Sequence, residues 1–292
     1  MNTNNDFTKY YNNFLAIYEK YYKLFKNQIL NQDISNTLKS YLFYTPDSKG
    51  KLLRSFLAYR SCEIFEIPSP IKENLAIAIE LFQSFSLIHD DLPSLDNDDI
   101  RRGQKSLHKV AGEANAILIG DALAILPFLL FSKIDEINLS KKYYKGILNL
   151  IAKFSEFSVI SLIDGQIEDI NLQVEKVKNK YIKDKLLKIY EKKTASFFGI
   201  SLGSGALINA NAAQYNELYK AGVNFGLAFQ LIDDIEDIEN KKDELSFATI
   251  FGLEETKKDL EKYVEKSLKI IKKYDEKILY TFLLNFVSRF YN

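Results

Sequence analysis

Asp90-Asp91-Leu92-Pro93-Ser94-Leu95-Asp96-Asn97-Asp98-Asp99-Ile100-Arg101-Arg102-Gly103 gathers five carboxylates and two guanidiniums into one short segment. An apolar run from Leu75 to Ile88 leads straight into it, so the acids stand where a buried helix emerges rather than along a solvated face. Two arginines do not balance five aspartates, and such crowding of like charge calls for a divalent cation or a bound ligand. Magnesium suits the pattern, because it takes oxygen ligands, keeps several waters, and is held by one or two carboxylates together with substrate phosphates. Arginines grip phosphate oxygens in bidentate fashion. A single acidic stretch is also what a solvated helix end looks like. A second copy decides between the two: Phe229-Gln230-Leu231-Ile232-Asp233-Asp234 repeats the pattern of Phe85 to Asp91, again an apolar run that ends in paired aspartates.

Spacing sharpens the comparison. Asp233 and Asp237 are four apart and project from the same face of a continuous helix. Asp90 and Asp96 are six apart and would diverge on an unbroken helix. Pro93 breaks the backbone ladder between them, which lets about two residues loop out so that Asp96 returns near the face of Asp90.

Composition bounds the rest. The 292 residues allow one or two domains with a large core, and zero formal net charge leaves no basic stripe for nucleic acid. The single cysteine, Cys62, reads as buried packing in a reducing compartment. Met1 to Asn13 is polar and resembles neither a signal nor a transit peptide, so a cytoplasmic location is expected. The apolar run Ala114 to Phe131 is interrupted by Asp121 and Pro127 and reads as a core helix rather than a membrane span.

Apolar residues recur at helical spacing almost throughout, and clean alternation is scarce. The pattern predicts helices over 4–31, 35–43, 52–65, 71–89, 113–133, 140–163, 182–209, 212–240 and 254–273, with a last one from 277. No Pro-, Gly- or Ser-rich linker separates them, so one all-α domain over 1–292 is the simplest account. Ser48-Lys49-Gly50-Lys51-Leu52-Leu53-Arg54 sets three cations around a glycine before a helix, a weak anion-binding signal by itself. Gln83 interrupts the apolar helix 71–89 and needs a hydrogen-bond partner or a polar cavity. The two histidines, His89 and His108, have no companions at zinc-ligand spacing; His89 is expected to pack beside the acids and His108 to lie in a loop.

Taken in order, GKLLRS from Gly50, SLIHDDLPSLDNDDIRRG from Ser86, GEANAILIGDAL from Gly112, GQIED from Gly165, Lys193-Thr194 and FQLIDDIED from Phe229 resemble the head-to-tail trans-isoprenyl diphosphate synthases, above all the bacterial farnesyl diphosphate synthases. The resemblance runs along most of the chain. It implies an all-helical bundle around a deep central apolar cavity, usually as a homodimer. Asp90, Asp96 and Asp233 resemble the family's magnesium ligands, with Asp91, Asp234 and Asp237 in support; three magnesium ions are implied with substrate bound, and manganese is an alternative. By the same likeness Arg101 and Lys193 hold the allylic diphosphate, with Thr194, Gln166 and Gln230 completing that side, and Lys51, Arg54, Gln83 and Arg102 resemble the isopentenyl diphosphate site. Phe85, five residues before Asp90, resembles the aromatic that limits products to fifteen carbons. The implied reaction joins isopentenyl diphosphate to dimethylallyl or geranyl diphosphate, giving (2E,6E)-farnesyl diphosphate and pyrophosphate.

The chain departs from the family pattern at Leu52 and Ser55, where the family has arginine and proline, and at Ala195, where it prefers glycine. Aligned on Gly252, Glu244 stands where the family's lysine contacts the allylic diphosphate, which reverses a charge; Lys241 or Lys242 is the alternative contact. Other readings are a geranyl or geranylgeranyl diphosphate synthase, a terpene cyclase, or a non-catalytic partner subunit of a synthase. A cyclase lacks a second aspartate motif of this kind and an isopentenyl diphosphate site.

Overall fold

A computed structural model describes residues 3–48, 50–133, 141–175, 182–209, 211–238 and 245–288, so Lys49, Lys241, Lys242 and Glu244 lie outside the described residues. The described chain is all-α apart from one minimal hairpin. By its internal contacts it divides into two compact units.

One unit comprises Tyr11–Tyr59 and Ile67–Ser140. It holds most of α1 (Thr3–Leu30), then α2 (Asn36–Tyr41), α3 (Tyr44–Asp47), the start of α4 (Leu53–Ile64), α5 (Ile71–Asp90), α6 (Leu107–Ala111) and α7 (Glu113–Ser132). Helix α5 packs along α7 and buries Leu75, Ala76, Ile77, Ala78, Ile79 and Leu81, as its nearly unbroken apolar run requires. The run carries two buried acids as well, Glu73 and Glu80, which the apolar reading of this helix passed over. Phe14, Phe56 and Tyr59 are buried together, with the Phe14 and Phe56 rings edge to face at 5.4 Å and the Phe14 and Tyr59 rings 5.2 Å apart.

Helix α5 ends at Asp90, and its carbonyls show why. Pro93 has no N–H for the His89 carbonyl, which accepts from Leu92 instead at 3.1 Å. The chain turns back through Leu92, then forms β1 (Ile100–Arg101) and β2 (Gln104–Lys105). Their two-residue loop is Arg102-Gly103, at φ +52° and +78°, the left-handed pair that a type I′ hairpin turn uses. His108 sits in the short helix α6 and is buried, not in a loop as expected.

The second unit gathers the described residues of Met1–Tyr10, Arg60–Glu66 and Lys141–Asn292. It contains α8 (Lys141–Glu156), a π-helical turn π1 (Phe157–Ile163), α9 (Asp164–Glu175), α10 (Ile182–Tyr190), a second π-helical turn π2 (Glu191–Ala195), α11 (Ser196–Ile208), α12 (Ala212–Asp237), α13 (Phe247–Phe251), α14 (Leu253–Ile271) and α15 (Leu279–Ser288). Every residue of α11 is buried, between α8 and α12. Small residues permit that: a Cβ on Gly205 would stand 2.2 Å from the Ser61 carbonyl oxygen. Periodicity expected one helix over 182–209 and none over 164–181. The structure interrupts the first with π2 and adds α9, because an inserted π turn leaves apolar spacing nearly unchanged and the charges of α9 conceal its period.

Two helical stretches, Glu113–Ser132 and Tyr143–Gln173, are long and apolar enough to cross a membrane by length and composition alone. Helix α7 has two apolar faces. Ala116, Ile119, Leu123, Leu130 and Phe131 are buried, whereas Ile117, Leu118, Ile125 and Leu129 are exposed.

Candidate active site

In the unit of α5, the two adjacent arginines of the hairpin turn to different partners. Arg101 donates from Nε to Asp91 Oδ1 at 2.8 Å and from Nη2 to Asp98 Oδ2 at 2.7 Å. Asp91 is buried, and that burial pushes its carboxyl up while the Arg101 guanidinium opposes the shift. Asp90 is half-buried and Asp96 exposed. The Asp96 N–H donates 2.9 Å to the Asp90 carbonyl, so the turn at Pro93 does return the chain to the helix end.

Arg102 points elsewhere. Its Nη1 lies 3.1 Å from Oε1 of Glu80, which is only 3% exposed. Burial raises the Glu80 carboxyl, and Arg102 and Arg54 both oppose that. Gly50 lies flat against the same guanidinium, where a Cβ would come within 2.4 Å of Arg102 Cζ. The Lys51 carbonyl accepts from the Tyr11 hydroxyl, and the Lys51 side chain is exposed. Glu80 and Gln83 are three apart on α5, and Gln83 Nε2 lies 3.5 Å from Ser86 Oγ. The loop at Gly50, Arg54 and Arg102 are thereby gathered about Glu80, a residue that sequence reasoning missed although it is the charged neighbour of Gln83 in the same apolar run.

His89 docks on α7, with Nε2 3.2 Å from the Ile117 carbonyl oxygen. Its imidazole occupies the place of a side chain at Gly120, where a Cβ would stand 2.3 Å from Nε2. Phe85 packs edge to face on His89 at 4.9 Å and on Phe82 at 5.0 Å.

The other unit carries the second motif. Lys193 donates to Asp169 at 2.8 Å, Lys192 donates to Glu168 at 2.8 Å, and Lys192 also pairs with Asp164. Gly165 admits this approach of α9 to π2, since a Cβ there would stand 2.7 Å from the Lys193 backbone nitrogen. Gln166 beside it is half-buried. Thr194 Oγ1 donates to Gln230 Oε1 at 2.9 Å. Asp234 is buried, with Oδ2 accepting from the Tyr190 hydroxyl at 2.6 Å and the Phe247 N–H at 2.9 Å. Burial raises its carboxyl against those hydrogen bonds. Asp233 and Asp237 are half-buried beside it. In both motifs the second aspartate is the buried one, tied to a donor of its own unit.

Among the described residues no group of three or more His, Cys, Asp or Glu side chains is arranged as a metal cage. The donors near each motif are carboxylate oxygens, the chemistry of a hard cation that takes few protein ligands and fills its shell from water and phosphate.

Comparison with known proteins identifies the family. The Polyprenyl synthetase family matches residues 35–260. The chain is 35% identical over 209 residues to a farnesyl diphosphate synthase of Geobacillus stearothermophilus, covering 71% of this chain and 68% of that protein. Among solved structures, an FPP/GFPP synthase from Zymomonas mobilis superposes with a TM-score of 0.83 at 26% identity, covering 96% of this chain and 97% of the other. A geranyltransferase from Helicobacter pylori, complexed with magnesium and isoprenyl diphosphate, gives a TM-score of 0.76 at 25% identity over 96% of this chain and 95% of its own. With a family match over most of its length and ordered motifs to account for it, this chain belongs to the polyprenyl synthetase family.

Proposed function

We propose that the protein condenses isopentenyl diphosphate head-to-tail with dimethylallyl or geranyl diphosphate, forming (2E,6E)-farnesyl diphosphate and releasing pyrophosphate. The observation that carries this is the divergence of Arg101 and Arg102: one is bound into the aspartate motif, the other held at Glu80 near Arg54 and Gly50. A condensing enzyme needs two diphosphate sites, and a cyclase needs one. The relative from G. stearothermophilus is a farnesyl diphosphate synthase, which supports the choice of product.

In this reading Asp90, Asp96 and Asp233 would hold magnesium, with Asp91, Asp234 and Asp237 in close support. Magnesium supplies positive charge to the departing pyrophosphate oxygens. Arg101, Lys193, Thr194, Gln166 and Gln230 orient the allylic diphosphate, and Lys51, Arg54, Gln83 and Arg102 orient the isopentenyl one. Charge held at fixed positions favours the leaving group over the bound ester, which is how such groups lower a barrier. Apolar α5 keeps water from the cationic carbon, and the proton lost at the end passes to the released pyrophosphate.

We further propose that residues 1–292 act as one polyprenyl synthase domain in the cytoplasm, as a homodimer. The exposed Ile117, Leu118, Ile125 and Leu129 of α7, set around the exposed Asp121, support a second copy, since clustered exposed apolar side chains mark an association surface. The test is incubation of the purified chain with magnesium, isopentenyl diphosphate and either dimethylallyl or geranyl diphosphate, with products separated by chromatography. A fifteen-carbon diphosphate is expected. A ten- or twenty-carbon product would assign another chain length, consumption of the allylic substrate alone would indicate a cyclase, and no turnover would indicate a partner subunit.

A further inference from the structure

Helix α12 and the α10–π2 segment meet along one strip of matched residues. Gly226, Gln230 and Asp234 recur every fourth residue on α12 and so share a face. Opposite them stand Ala195, Thr194 and Tyr190. A Cβ on Gly226 would lie 2.5 Å from the Ala195 Cα, so the two backbones touch there. Next along, Thr194 donates to Gln230 at 2.9 Å, and at the far end Tyr190 donates to Asp234 at 2.6 Å. The Phe247 N–H completes that end, 2.9 Å from Asp234 Oδ2 and 3.0 Å from the Tyr190 hydroxyl oxygen. Tyr190 is 8% exposed and Asp234 6%, so bulk water does not substitute for either bond. Lys193 lies between the two tie points in sequence on one side, and Asp233 lies between them on the other.

We propose that Tyr190 is a positioning residue, whose hydroxyl sets the register of π2 against α12 and thereby the placement of Lys193 and Asp233 toward an allylic diphosphate with its magnesium. This rests on the function proposed above. Tyr190 is buried with its hydroxyl on Asp234, and its influence passes through that carboxylate. In the function proposed above, π2 and α12 serve the allylic substrate and not isopentenyl diphosphate, so the effect is selective.

The Tyr190→Phe variant removes one oxygen and leaves the ring. Three measurements are made on full-length protein: binding of inorganic pyrophosphate with magnesium by calorimetry, the separate KM values for geranyl and isopentenyl diphosphates, and the thermal melt. Loss of a hydrogen bond to a buried charged group is expected to weaken magnesium pyrophosphate and raise the geranyl diphosphate KM about tenfold, with the isopentenyl KM within about twofold of wild type. Unchanged binding and KM values, equal weakening of both substrates, or loss of a cooperative melt would each overturn the inference, the last by making the bond a structural tie only. If wild-type protein binds magnesium pyrophosphate but does not condense the two diphosphates, the proposed function fails while the calorimetry still decides the role of Tyr190.

Discussion

The backbone N–H of Asp96 donates to the carbonyl of Asp90 at 2.9 Å, across six residues that on an unbroken helix would set the two side chains about 120° apart. Pro93 causes this, because the His89 carbonyl that a helical residue 93 would bond is left to Leu92. In Pro93→Ala the N–H is restored and α5 can run on, carrying Asp96 away from Asp90. Helix propensity improves at the substituted position, so the melting temperature should hold or rise. Turnover should nevertheless fall about a hundredfold, the cost of ångström-scale misplacement. Steady-state kinetics beside a melting curve check both, and wild-type activity in this variant would mean that Asp96 does not act with Asp90.

Asp90→Ala and Asp233→Ala test the metal assignment directly. Both side chains are only half-buried, and the buried Asp91 and Asp234 keep their bonds to Arg101 and Tyr190 in these variants, so truncating the first aspartate of each motif should leave the fold cooperative. Turnover should drop by about 10²- to 10³-fold or more, as for removal of a group that stabilises developing charge. Either variant retaining near wild-type turnover at saturating magnesium would remove that residue from the ligand set.

The helical class and both aspartate motifs were legible because each rests on local pattern: apolar period, paired acids, and a proline at a helix end. The return of Asp96 was legible for the same reason. What the sequence did not show depends on distant pairing. Tyr190 and Glu80 look ordinary in their segments, and only the fold sets Tyr190 on Asp234, 44 positions away, and Glu80 on Arg102, 22 away. Asp169 lay within a recognised motif, yet its pairing with Lys193 depends on α9, a helix that periodicity passed over. The π turns were illegible because widening a helix by one residue changes hydrogen bonding more than hydropathy.

Glu244 is the departure with the clearest electrostatic sign. A carboxylate near a diphosphate opposes binding, and a lysine at that position attracts it. Glu244→Lys should therefore lower the KM for geranyl diphosphate about two- to tenfold, the range of a partly screened charge pair near a surface. The effect should shrink as salt is raised. A higher KM in the lysine variant would show that the alignment through this segment is displaced and that Lys241 or Lys242 fills the family position.

If the function proposed above holds, Phe85 sets product length. Five residues before Asp90, at about 1.5 Å per residue, its ring lies roughly 7 to 8 Å further down α5 from the aspartate. It is half-buried and held on both sides, by Phe82 at 5.0 Å and His89 at 4.9 Å, and His89 is itself docked on α7. A ring fixed in this way makes a firm stop for a growing hydrocarbon tail. Phe85→Ala should extend the product to twenty carbons or more, with geranylgeranyl diphosphate the first new species. Removing the ring also leaves space beside Phe82, at a cost of about 3 to 5 kcal/mol if the site were fully buried and did not refill. Its partial exposure places the loss at the lower end. Chromatography of the products, on variant protein shown by its melt to be folded, decides the matter: an unchanged fifteen-carbon product would shift the stop to Phe82, which is buried one turn deeper on the same helix.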